Sequence, residues 1–183
     1  YDLVLRDPKA SQIGLKGEMP GANTNGSSLS IALEMASLFS QVDLPSTLRI
    51  VFADFGEWDS LGAYDQALKL IREKKEVLGV LDFYALGHDS KVLDKSKSYG
   101  NMEVYSTRLN HPMGQKNKDL YLRLNKVASK ASSGVQFSFR AQGQKSCSVE
   151  HFWQASLPGL CFTHNLTHDL SLIHISEPTR QDR

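Results

Sequence analysis

Short β-rich runs alternate with segments of helical period along most of this chain, and nothing else in it restricts the possible folds as strongly. Residues 48–53, 77–85, 102–107, 135–139 and 160–163 are strand-like, rich in Val, Ile, Leu, Phe and Tyr. Between them lie helical patterns. Ile31, Ala32, Met35, Leu38 and Phe39 share one face of a helix predicted over 28–41, with Ser27 or Ser28 as N-cap. Leu61, Tyr64, Leu68 and Ile71 do the same over 61–72, and Leu120, Leu124, Val127 and Ala131 are expected to point inward from 118–131. A short helix is expected at 151–155. Residues 7–27, with Pro8, Pro20 and four glycines, read as a loop after a strand remnant at Leu3-Val4-Leu5. This alternation predicts an α/β fold, a mostly parallel central sheet with helices on both faces. Sites in such sheets form at the carboxyl ends of strands. The loops after Leu5, Ala53 and Ala85 are therefore where chemistry is expected.

Composition narrows the partners. With 183 residues, 40% of them hydrophobic, the chain can bury a sizeable core. Its formal net charge is +1, and the Lys74-Lys75 pair is flanked by Glu73 and Glu76, so no surface tracks phosphates and nucleic acid is excluded as a partner. The longest apolar stretches, such as 77–81, are too short to span a bilayer. Cys147 and Cys161 either pair or remain buried thiols, and two cysteines do not fix a redox compartment. His88, His111, His151, His164 and His168 show no zinc-ligand spacing and read as surface or polar-core residues. No nucleophile elbow supports Ser-His-Asp or Cys-His catalysis.

Four stretches, taken together and in order, carry a family resemblance. Pro20-Gly-Ala-Asn-Thr-Asn-Gly-Ser-Ser28 opens a helix. Ile50-Val-Phe-Ala-Asp-Phe-Gly-Glu-Trp-Asp-Ser-Leu-Gly-Ala63 runs from a strand into a helix. Val80-Leu-Asp-Phe-Tyr-Ala-Leu-Gly87 is the next strand. Residues 146–163, with Phe152-Trp153 and Leu157-Pro158-Gly159, form a late helix-to-strand segment. The series resembles the zinc-dependent aminopeptidase family that also contains bacterial leucyl aminopeptidase, glutaminyl cyclase and the peptidase-like domain of the transferrin receptor. The resemblance covers roughly residues 3–169 and implies a zinc exopeptidase-like sandwich of the phosphorylase/hydrolase kind. It also implies two zinc ions that activate a water, a carboxylate bridging them, and a further Glu as general base.

The slots of that pattern are filled differently here. Thr24 stands where the resemblance implies the bridging Asp. Gly56 stands in the general-base slot, beside Glu57 in a ligand slot. Anchored on Gly87, the third motif places Tyr84 in its Asp ligand slot and Asp82 in the preceding Asn slot; a register shifted by two makes Asp82 the ligand instead. Leu5 stands where a His ligand belongs, two before Asp7. The Ser-Asp-His that precedes the late helix in the family reads Cys147-Ser148-Val149. Each slot also has an ordinary reading: Asn23, Asn25 and Gly26 as a turn before a helix, Glu57 as a solvated or capping carboxylate, Trp58 and Trp153 as core or pocket wall.

These departures predict an aminopeptidase-like domain that is catalytically inactive, with Glu57, and Asp82 in the shifted register, as the metal-binding residues left and no zinc expected as written. Two other readings compete. One is an active zinc exopeptidase or cyclase with a rearranged or single-metal site around Glu57, Asp82 and Asp89. The other is an unrelated α/β binding domain. The family implies a peptide or protein N-terminus as partner and a periplasmic or extracellular location; oligomeric state is not legible. The segment Leu170-Ser-Leu-Ile-His-Ile-Ser-Glu-Pro-Thr-Arg180 resembles one reading frame of a transposon-end sequencing adapter. The expected division is therefore a domain fragment at 1–169 and a non-native tail at 170–183. The family's last His ligand is expected beyond Asp169, and the true N-terminus upstream of Tyr1.

Overall fold

The computed structural model describes residues 26–53, 59–84, 86, 102–131, 137–142 and 147–164. Their regular elements run α1 (Ser27–Phe39), α2 (Leu61–Arg72), β1 (Val80–Phe83), β2 (Met102–Tyr105), α3 (Gly114–Lys130), β3 (Phe137–Arg140), α4 (Glu150–Gln154) and β4 (Gly159–His164). The strands make one sheet in the order β1-β4-β2-β3. β1 is parallel to β4 and β2 is parallel to β3, while β2 meets β4 antiparallel. Two of the three pairings are thus parallel, as the strand–helix alternation predicts, and the antiparallel one lies at the centre.

Side-chain alternation divides the sheet into two faces. Val104, Leu160 and Phe162 form a buried layer with Phe83, Phe137 and Phe139, and α3 covers it with Leu120, Tyr121 and Leu124. The opposite face carries Tyr105 and Cys161 against Val149 and Trp153, with Val80 and Tyr84 packed on them. There α4 lies nearest the sheet. α2 packs outside it, through Ala63 and Ala67 against Phe152. Small residues decide that contact because they let the helix backbone come close. Leu61, Tyr64, Leu68 and Ile71, the larger apolar set of the same helix, remain exposed.

Three expectations change in detail. Residues 48–53 form no strand, and Leu48, Val51 and Phe52 are exposed. High β-propensity needs a partner strand to become ladder structure, and none pairs with this run among the described residues. α3 begins at Gly114 rather than Lys118, because its first turn is polar and carries no apolar period. Val127 and Ala131, expected inward, are exposed at the end of α3.

That polar first turn is held by a buried side chain. Asn117, with no exposed surface, donates through Nδ2 to Thr107 Oγ1 at 3.4 Å and accepts at Oδ1 from the Gly159 N–H at 2.9 Å. One amide thus ties the start of α3 to the start of β4. Gly159 itself has no room for a side chain: a β-carbon there would lie 2.5 Å from Val149 Cγ2.

Cys147 and Cys161 are disulfide-bonded, with Cα atoms 6.0 Å apart and 14 residues of separation. The bond staples the segment entering α4 onto the middle of β4. Closing a loop of about 15 residues is worth about 3 kcal/mol through the unfolded chain. The Cys147→Ser/Cys161→Ser double variant is therefore expected to lose about that much stability, read by chemical denaturation against the oxidised parent.

Candidate functional site

The described parts of the four stretches named in the sequence meet on the α4 face and at the carboxyl end of β1. Val80 and Asp82 pair with Gly159 and Cys161 across the β1–β4 ladder, so Asp82 projects to the same side as Cys161. Its Oδ2 accepts from the Ser148 hydroxyl and from the Val149 N–H, each at 3.1 Å. This carboxylate holds the turn that leads into α4. Val149 is fully buried behind it. Two residues further along β1, the Tyr84 N–H donates to the Phe162 carbonyl at 2.9 Å, which extends the ladder beyond the strand. The Tyr84 side chain packs on the cluster of Tyr105, Cys147, Val149, Trp153 and Cys161.

Other contacts bring in the remaining stretches. The Leu86 N–H donates to Ser27 Oγ at 3.1 Å, joining the exit of β1 to the start of α1. His151 Nε2 lies 2.6 Å from the Asp59 carbonyl oxygen. A carbonyl only accepts, so Nε2 is the donor. Nδ1 is enclosed with no partner among the described residues. The Tyr64 ring meets the His151 ring edge-on, with centroids 5.6 Å apart. α4 is thereby fixed to β1 through Asp82, to β4 through the disulfide, and to the start of α2 through His151.

Of the residues singled out in the sequence, Asp82 and Tyr84 lie in this region. Leu5, Asp7, Thr24, Gly56, Glu57 and Asp89 fall outside the described residues, as does the segment 170–183. Ser148 and His151 were not singled out as site residues. The resemblance sets Ser148 against the family's Asp, and that was the signal available. His151 carried no such mark, because its partner at Asp59 is 92 residues away.

Burial pushes the Asp82 carboxyl above the ordinary Asp range, and the hydrogen bonds from Val149 and Ser148 pull it back only in part. The sign follows from linkage. A carboxyl whose folded value is raised holds its proton more tightly in the native state, so its contribution is fully present below the unfolded value of about 3.9 and is lost as pH climbs through the folded value. Asp82 therefore costs stability in neutral solution. Asp82→Asn keeps an acceptor oxygen for both donors and removes the buried charge. It is expected to melt at a higher temperature than the parent at pH 7, with the difference vanishing near pH 3.5, as followed by circular dichroism.

Comparison with known proteins gives a consistent picture. The profile of peptidase family M28 matches residues 6–166. Among solved structures, an aminopeptidase from Aneurinibacillus sp. strain AM-1 superposes with a TM-score of 0.58 at 22% identity, covering 80% of this chain and 32% of that one. The Legionella pneumophila LapA aminopeptidase superposes with a TM-score of 0.63 at 18% identity, covering 89% of this chain and 41% of that one. A second LapA structure gives 0.64 at 18% identity, covering 89% and 43%. At these identities the likeness is one of fold, and the chain spans about a third to two fifths of the length of those proteins. No curated protein matches the sequence.

Proposed function

The chain belongs to peptidase family M28, and from that premise we propose that it is an aminopeptidase-like domain without peptidase activity, serving to bind a peptide or protein N-terminus. The family is zinc-dependent, and the residues here do not fit the metal pair. Leu5, Thr24, Gly56 and Tyr84 fill slots that call for His and carboxylate donors and for a general base. None of the four can supply a carboxylate or an imidazole. No catalytic step through zinc follows from such a set.

The observation that carries this reading is the engagement of Asp82. It is the acid on β1, and its carboxylate is committed to Ser148 and Val149 rather than directed to the strand end. Tyr84, nearer that end, packs into the α4-side cluster. The disulfide supports an oxidising home, periplasmic or extracellular. Among the described residues no helix is long and apolar enough to cross a membrane.

The test is direct. The oxidised protein, incubated with aminoacyl-anilide substrates with and without a chelator, is expected to stay at the background rate in both. Chelator-sensitive cleavage would overturn the reading and return Glu57 and Asp82 to a working metal site.

A further inference from the structure

We propose that the reduced form of this chain holds one thiophilic divalent cation of the zinc class, bound by the sulfurs of Cys147 and Cys161 and a carboxylate oxygen of Asp82. The proposal goes beyond the reading above and uses none of the family's slots at Leu5, Thr24, Gly56 or Glu57.

Three observations carry it. The two sulfurs and an Asp82 oxygen all lie within 4.8 Å of one another. Sheet register puts them together: Asp82 and Cys161 are direct partners across the β1–β4 ladder, and the hydrogen bond from Val149 to Asp82 brings Cys147, two residues earlier, to the same place. The site also has an outer layer. Ser148 and Val149 both donate to Asp82 Oδ2 and so fix the carboxylate while leaving it a second oxygen for a cation. Hydrogen bonds of that kind orient metal ligands and tune their affinity. Tyr105, Val149 and Trp153 wall the pair of cysteines from solvent.

Chemistry makes the two states exclusive. In the disulfide each sulfur is bonded to the other and offers no thiolate. A dithiol reductant supplies two electrons and two protons: the S–S bond breaks, Cys147 and Cys161 become thiols, and the reductant closes into its own cyclic disulfide. Cation entry then releases both thiol protons to solvent as the thiolates bind. Thiolates sharing a zinc sit about 2.3 Å from it, so the sulfurs must separate, and side-chain rotation on backbones 6.0 Å apart at Cα accommodates this. Two thiolates and a carboxylate make three protein donors and leave a fourth position for water. A buried carboxylate beside two buried thiols also gains a counter-charge that nothing else in the cluster provides.

Cd²⁺ is the probe, because its bonds to thiolate give an ultraviolet charge-transfer band. The chain contains only these two cysteines, so the band reports on no other thiol. Protein expressed in a reducing compartment, treated with a dithiol and desalted without oxygen, is titrated with Cd²⁺. The expected result is one equivalent bound with a thiolate band, and neither in oxidised protein. Asp82→Asn should bind at least tenfold more weakly with the same band per bound ion, and Cys147→Ser/Cys161→Ser should show no band. A reduced, folded parent without the band overturns the proposal. So does Asp82→Asn with undiminished affinity, which would leave the cysteines acting alone. Should the double variant fail to fold, the oxidised parent and Asp82→Asn still decide. A reduced parent that folds neither with nor without Cd²⁺ also overturns it. None of these outcomes depends on peptidase activity, so failure here and failure of the proposed function are separate results.

Discussion

Arg140→Met is expected to destabilise the protein by about 2–3 kcal/mol, the cost of leaving a buried carboxylate without its charged donor, less than for a fully buried pair because the Arg140 side chain is 37% exposed. The reason lies across β2 and its edge neighbour β3. Glu103 of β2 is 1% exposed, and its Oε1 accepts from Arg140 Nη2 at 2.8 Å and from Nε at 3.1 Å. Its Oε2 accepts from the Tyr105 hydroxyl at 2.6 Å. The same network pushes the Tyr105 phenol well above its usual range: burial contributes most, then the hydrogen bond to Glu103 and its charge, with Arg140 opposing. Met fills comparable volume along the strand but leaves Glu103 with one neutral donor and no cation. Adding Glu103→Gln to the variant should recover part of the stability, because an amide still accepts from Tyr105 and carries no charge. Urea unfolding of the parent and both variants reads all three numbers. An Arg140→Met loss below about 1 kcal/mol would mean that this pair behaves like an exposed one.

The elements that the sequence made legible are those whose pattern is local. α2 runs from Leu61 to Arg72, as its periodicity predicts, and α1 and β1 differ only at their ends. The α/β class followed from alternation alone, and residues 48–53 show where that logic stops: a run of strand formers stays outside the described sheet because pairing is a property of two segments. Site contacts were less legible for the same reason. The Asp82–Val149 bond spans 67 residues, the His151–Asp59 contact spans 92, and the Asn117–Gly159 bond spans 42. Each residue alone has an ordinary surface or core reading, and register across β1 and β4 turns it into a tie. The cysteines illustrate the point. Two thiols 14 apart left pairing open, and the choice is made by β4 passing beside the entry to α4.

Restoring the family's groups together is expected to change the chemistry far more than any single replacement. The relevant set is Leu5→His, Thr24→Asp, Gly56→Glu and Tyr84→Asp. With Glu57 already present, the first, second and fourth substitutions bring the donor set to one imidazole and three carboxylates, enough to hold at least one zinc. Gly56→Glu supplies a base for an attacking water, a contribution of roughly 10²–10⁴-fold by itself once the metal is in place. Each change alone should do almost nothing, because groups that act as a unit are grossly non-additive. Thr24→Asp without the other donors still leaves too few ligands, and Gly56→Glu without metal activates no water. Zinc content of the oxidised protein is the first readout, since with Cys147 and Cys161 joined no thiolate can contribute to the count. The parent and every single variant are expected to retain no stoichiometric zinc, and the fourfold variant at least one per chain. Chelator-sensitive hydrolysis of an aminoacyl-anilide is the second readout, and it should appear only where zinc does. Zinc in the oxidised parent would show that Glu57 and Asp82 already make a site, and that the α4 turn releases Asp82 to it.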